Sequence, residues 1–353
     1  PTDPITRAEL INILSNMVDT LVKETTTVTE DVSGSLLISA ADGATLKGIR
    51  IGGDLILAPG VTKDVTLVDC VIQGNIRNYG TGEVRFEAPQ ITPESTATKP
   101  SEVYKPGATL DRTLEYGGKT VPIYRDRPLN VFSDVDFIWT GEENENQRRL
   151  EYLGGEFRTR YGIDVSSFQG EIDWDAVADD NIDFAMVRVG FRGTGTGSLN
   201  TDKYYEQNIR GAMRAGLETG VYFFAQAVTV EEAIEEADYV ISLLDGLDIN
   251  GPVAYDWEMH DSTYRVYGTS PEMATACAVA FCERIKDAGY TPMVYGGTYV
   301  TYMKYDQGAL ADYLSWYPEY KSEKSEKLCP TLVYHMDYWQ FSSSRAVAGI
   351  NGR

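Results

Sequence analysis

Asp256 and Glu258 stand one residue apart, with Trp257 between them, at the end of the apolar run Val253-Ala254-Tyr255. Pro252 closes a loop ahead of that run. The run reads as a buried strand. Side chains on a strand alternate faces, so residues i and i+2 share one face about 6–7 Å apart. Both carboxylates therefore point into one pocket. Paired carboxylates at that separation suit glycoside hydrolysis, in which one protonates the leaving oxygen and the other stabilises or attacks the sugar carbon. The spacing is compatible with either retention or inversion at the sugar carbon. An isolated Asp-x-Glu equally describes two solvated acids at a strand end, so the elements around it decide its meaning.

From Tyr161 onward, strand and helix patterns alternate, which predicts a parallel sheet or barrel with helices outside. Strands are expected at Gly162 to Ser166, Phe184 to Val189, Gly220 to Ala225, Val253 to Glu258, Pro292 to Tyr295, Tyr313 to Trp316 and Tyr338 to Phe341. Asp173, Thr229 and Ser270 are expected helix caps, with Pro271 at a first helical position and Gly289 at an end. In such barrels the chemistry gathers at the C-terminal ends of the strands. Those ends carry Asp164, Gln226, Asp256, Glu258, Tyr295, Trp316 and Gln340. Acids and aromatics on one rim suit a carbohydrate, whose rings stack on aromatic faces. Arg188 is a candidate ion-pair partner for one of these acids. His260 either lines the cleft or sits on an exposed loop. The glycines at 190, 193, 195 and 197 follow a strand but lack a nucleotide-binding spacing, and read as a flexible rim loop.

The first half of the chain differs. Residues 4–23 show an apolar stripe at helical spacing (Leu10, Ile13, Leu14, Met17, Leu21) behind a Thr6/Glu9 capping box. Residues 26–88 carry a 21-residue period: Thr45-Leu46 matches Thr66-Leu67, Ile51 matches Ile72, and Gly53-Asp54-Leu55 matches Gly74-Asn75-Ile76. Short β segments at a fixed spacing suggest the rungs of a small parallel β-helix or solenoid, acting as a spacer or binding module. The expected organisation is a capping helix over 1–25, the β module over 26–88, a linker and β-hairpin connecting region over 89–160, and the barrel over 161–353.

Composition narrows the function classes. With 353 residues, 42% hydrophobic and 24% charged, the chain is a globular, multi-domain one. A net charge of −22 argues against a nucleic-acid partner, which needs a basic face. No apolar run is long enough to span a membrane. The four cysteines show no metal-ligand spacing and are expected as free thiols. Two histidines leave little room for a His-based metal site or a Ser-His-Asp system, so no metal and no cofactor are expected.

From Gly162 to Gly349 the chain resembles a glycoside hydrolase family 25 lysozyme, an N-acetylmuramidase. The resemblance is carried by Gly162-Ile163-Asp164-Val165-Ser166-Ser167-Phe168-Gln169-Gly170 with Ile172-Asp173-Trp174, and by Phe184 to Gly190. Gly220-Val221-Tyr222-Phe223-Phe224-Ala225-Gln226-Ala227, Asp256-Trp257-Glu258, Tyr295, Trp316 and Trp339-Gln340 complete it. The family implies an irregular TIM-like (β/α) barrel that cleaves the β-1,4 bond between N-acetylmuramic acid and N-acetylglucosamine in peptidoglycan. By that resemblance Glu258 is the general acid, Asp256 a substrate or transition-state stabiliser, and Asp164 the holder of the site's hydrogen-bond network. Tyr295, Trp316, Gln226, Tyr222, Gln340 and Arg188 are the implied substrate-binding residues. Family members commonly continue past Gly349-Ile350-Asn351-Gly352 into a segment with another active-site Asp, which motivates the alternative of a catalytically impaired wall-glycan-binding protein. Ile5 to Leu10 with Ile13-Leu14 resembles the closing helix of a surface-layer homology repeat, implying cell-wall attachment through the N-terminal region. Secretion or surface display is expected, with the signal sequence outside this chain.

Overall fold

A computed structural model describes residues 18–68, 70–72, 74–87, 98–107, 109–141, 148–322 and 324–351. The chain forms two compact units that part between Ser95 and Thr96.

The first unit is built from short parallel strands, each pairing with a strand one turn of chain away. Strands β1 (Thr20–Val22), β3 (Leu36–Ile38), β6 (Leu55–Leu57) and β9 (Ile76–Asn78) form one ladder. Strands β2 (Thr27–Val28), β4 (Ala44–Lys47), β7 (Val65–Val68) and β10 (Val84–Glu87) form a second, and β5 (Arg50–Ile51) with β8 (Val71–Ile72) a third. Residues that match at the 21-residue period are register partners: Thr45 with Thr66, Ile51 with Ile72, Leu55 with Ile76. Leu36, Ile38, Leu46, Ile49, Ile51, Leu55, Leu57, Val61 and Val65 are fully buried between the ladders. No single turn could bury them alone, so stacking is what closes this core. The expected helix over 4–23 falls mostly outside the described residues. Its last turn is a strand instead, because Thr20 to Val22 pair with Leu36 to Ile38, and a non-local ladder overrides a helical pattern in so short a stretch.

The second unit is organised by parallel strands in chain order: β15 (Gly162–Val165), β16 (Phe184–Arg192), β18 (Glu218–Ala225), β19 (Val253–Trp257), β20 (Pro292–Tyr295), β21 (Leu314–Pro318) and β22 (Tyr338–Gln340). Helices α1 (Trp174–Asp179), α2 (Tyr205–Arg214), α3 (Val230–Leu243), α4 (Pro271–Asp287) and α5 (Thr298–Met303) lie in the connections. Asp173, Thr229 and Ser270 accept from the third residue of α1, α3 and α4, which fixes where those helices begin. Tyr255 and Trp257 face the helix layer, where α3 and α4 supply Ala233, Ala237, Ala276, Cys277 and Phe281. Ala254 and Asp256 face the other way, with Met186, Met293, Tyr295 and Trp316. Among the described residues no ladder joins β22 to β15. The sheet is a curled, open α/β layer rather than a barrel closed by backbone hydrogen bonds. Its two edges meet through a side-chain bond, Gln340 Nε2 donating to Asp164 Oδ2 at 2.9 Å, and Phe184 at the start of β16 packs edge-on against Tyr338 of β22.

Two expectations change here. The glycine-rich stretch after β16 is not a loose loop: the strand runs to Arg192, turns at Gly197 with φ +71°, and returns as antiparallel β17 (Leu199–Thr201). Gly197 supplies the positive φ that such a turn needs. The hairpin β11 (Leu110–Tyr116) and β12 (Lys119–Tyr124), like the antiparallel pair β13 (Phe137–Thr140) and β14 (Arg149–Tyr152), is integral to the second unit rather than part of a connecting region. Val121 and Ile123 are buried with Tyr302, Tyr317, Leu332, Tyr334 and Met336. Arg127, buried just beyond it, donates to Gln307 Oε1 and to the carbonyls of Leu310 and Tyr313.

Candidate active site

Register sets which side chains converge. On β19, Asp256 pairs with Phe224 of β18 on one side and Tyr295 of β20 on the other. Tyr295 pairs with Trp316, and Trp316 with Tyr338. Parallel register partners point to the same face, so an acid and a row of aromatic rings form one floor. Tyr295 and Trp316 meet edge to face at 4.9 Å, and Trp316 meets Tyr222 at 5.8 Å. Tyr295, expected at the substrate, also gives its hydroxyl to Gln340 Oε1 at 3.2 Å, and Tyr320 does the same from the exposed side. Gln340 thereby connects Asp164, Tyr295 and Tyr320.

Asp256 is 5% exposed, whereas the Glu258 side chain is 27% exposed. Each of the two carboxyls perturbs the other. Burial, and then repulsion by Glu258, hold Asp256 well above the usual carboxylate range. Asp256 Oδ1 is buried without a partner among the described residues. Burial raises Glu258 too, against an opposing pull from His260. His260 is 62% exposed, and its Nε2 lies 3.1 Å from Glu258 Oε2. Burial also raises Asp164, opposed by its hydrogen bond from Gln340. The arrangement keeps a proton available on a carboxyl pair at a pH where free carboxylates are ionised, which is the property a general acid needs.

Two expected contacts lie elsewhere. Arg188 does not pair with any of the three acids. Its Nη2 sits 2.8 Å from Asp202 Oδ2 and 3.2 Å from Ser167 Oγ, with its guanidinium between the rings of Phe168 and Phe191. The buried Asp202, carried in after β17, reaches Arg188 first. Gln226, expected at the substrate, is 0% exposed. It faces inward because its main chain is held at both ends: its N–H donates to Glu236 Oε1 at 3.0 Å, and its carbonyl accepts from Arg265 at 3.1 Å. Its Nε2 donates to the Glu258 carbonyl at 2.7 Å, so it braces the backbone of the acid.

Sequence reading missed the support behind this brace. Arg192 donates to Glu236 at 2.8 Å and to Glu235 at 2.7 Å, and Arg265 pairs with Glu232 at 2.7 Å. The signal was present in Arg192, an arginine inside an apolar strand. The rim residue Phe224 followed from alternation with Tyr222. Phe168, 76% exposed yet stacked on Arg188, carried no signal of its own. Among the described residues, no group of three or more His, Cys, Asp or Glu side chains is arranged to hold a metal. Cys277, Cys282 and Cys329 are free thiols.

The chain is similar to known proteins over this unit. It is 26% identical over 192 residues to the autolytic lysozyme of Clostridium acetobutylicum, covering 54% of this chain and 53% of that protein. It is 26% identical over 196 residues to lysozyme M1 of Streptomyces globisporus, covering 54% and 64%. Among solved structures, the bacterial lysozyme of Streptomyces coelicolor aligns at 24% identity and a TM-score of 0.44, over 56% of this chain and 90% of that one. The chain thus spans about half the length of the first of these relatives. The model of the glycosyl hydrolases family 25 matches residues 163–350, more than half of the 353 residues, and the chain belongs to that family.

Proposed function

We propose that this chain is a peptidoglycan hydrolase of the muramidase type, cleaving the β-1,4 bond between N-acetylmuramic acid and N-acetylglucosamine. The observation that carries this reading is the Asp256/Glu258 pair, two carboxyls largely shielded from solvent at the C-terminal end of a mid-sheet strand beside an aromatic floor. Family membership and the names of the lysozyme relatives support it. Glu258, the more exposed of the two, gives its proton to the glycosidic oxygen. The C1–O bond breaks and its electron pair leaves with that oxygen. Asp256 stabilises the positive charge that develops at the sugar, or orients the acetamido group that shields it. Water then completes the hydrolysis and its proton restores the acid. Asp164 acts through Gln340 to hold the floor together, and Tyr295, Trp316 and Tyr222 offer the sugar apolar edges. Gln226 and Arg188 are positioning residues in this account.

The first unit is proposed to be a small β-helix that serves as a spacer or wall-attachment module. Its ladders carry apolar side chains inward, and its described residues hold no cluster suited to catalysis. Action at the cell surface or outside the cell follows from a wall substrate. The test is turbidity clearing of a purified wall suspension by the wild type beside Glu258→Gln. Clearing by the wild type alone supports the reading, and equal clearing by both removes Glu258 from its role.

A further inference from the structure

We propose that His260 tunes the acid: its ring holds one oxygen of Glu258, and the ring's charge sets the pH at which Glu258 surrenders its proton. This rests on the reading of Glu258 as the general acid. His260 lies two residues past Glu258, beyond the end of β19, with Nε2 at 3.1 Å from Oε2. Its ring packs edge-on against Tyr264 at 5.3 Å, which limits its swing. The imidazole is mostly exposed while the carboxyl it touches is mostly buried. A solvent-exchanging group is therefore in direct contact with a carboxyl that is largely shielded.

The neighbours make this contact matter. Around the pair stand Asp164 from β15, Asp256 from β19, Tyr295 from β20 and Tyr320 beyond β21. Asp261 and Tyr264 lie on the histidine's own loop. All are acidic or neutral. Arg188 is the positive group felt by Asp256, and it is committed to Asp202. His260 is thus the group through which positive charge reaches Glu258 by contact. A neutral ring donating from Nε2 occupies Oε2 and leaves the acid proton on the other oxygen. A protonated ring favours the carboxylate, since a cation within hydrogen-bond reach stabilises the charged form.

The test is the pH profile of kcat/KM on solubilised wall fragments for wild type, His260→Gln and His260→Lys, with folding checked by circular dichroism. Each limb is read against that variant's own plateau. His260→Gln keeps a donor and removes the charge, so its basic limb is expected about half a unit to one unit higher. His260→Lys keeps the charge at all pH and is expected at or below the wild-type limb. A His260→Gln limb at the wild-type position, or a folded His260→Gln without activity at any pH, overturns the proposal. Glu258→Gln separates the two levels. An active Glu258→Gln refutes the general-acid reading itself. An inactive Glu258→Gln with an unmoved His260→Gln limb refutes only the role of His260.

Discussion

Replacing Glu258 by Gln should make the β/α unit more stable as well as inactive. Two carboxylates about 6–7 Å apart repel by roughly 2–3 kcal/mol at an effective dielectric near 20. Both are shielded from solvent, Asp256 almost wholly and Glu258 by nearly three quarters, so screening removes little of this. Both folded-state pKa values are raised, so the folded protein binds more protons than the unfolded chain above about pH 4. Stability must then fall as pH rises from about 4 through the raised values. Glu258→Gln deletes one of the two charges and that part of the fall. Thermal unfolding of the two proteins should coincide near pH 4 and separate as pH rises. By pH 8 the variant should melt about 4–12 °C higher, at roughly 2–4 °C per kcal/mol for a unit of this size. Loss of the acid should meanwhile cost about 10²–10⁴ in rate. A variant that melts at or below the wild type at pH 8, or a difference that does not change with pH, would refute the argument that this pair is repulsive.

Three other perturbations probe the supports. Gln226→Leu removes the 2.7 Å donor to the Glu258 carbonyl; stopped-assay kinetics should show kcat reduced about tenfold or more with KM little changed, because a buried carbonyl left unpaired costs about 1–3 kcal/mol. Gly211→Ala should destabilise the β/α unit, although alanine normally favours a helix by about 1 kcal/mol. Its Cβ would lie 2.2 Å from Trp174 Cδ1, and overpacking costs about 1–3 kcal/mol, so a lower melting temperature is expected. Leu46→Ala, at a fully buried position of the first unit, should cost that unit about 2–5 kcal/mol in denaturant unfolding.

What the sequence reveals here is what local rules govern. Caps at Asp173, Thr229 and Ser270 need only a side chain and a nearby N–H, so they are readable from order alone. The Asp256 and Glu258 alternation is likewise local, and so is the 21-residue period that reappears as register between β4 and β7. The rest depends on what arrives from far along the chain. Arg188 could not be assigned to Asp202 before β17 was known to fold back. Gln226 looked like a ligand group because it follows a strand. Only Glu236 and Arg265, ten and 39 residues on, turn it inward. Propensity arguments fail for the same reason at Thr20 to Val22, where pairing with Leu36 to Ile38 decides. The hairpin over 110–124 shows only a turn and alternation in sequence, and its seat among Tyr302, Tyr317 and Tyr334 is purely tertiary.

The most direct measurement is the identity of the new reducing ends. Wall glycan digested by the wild type, reduced with borohydride and analysed by mass spectrometry should carry N-acetylmuramitol ends, and none should accumulate with Glu258→Gln. N-acetylglucosaminitol ends, or equal release by the variant, would contradict the assignment of a muramidase that uses Glu258 as its acid.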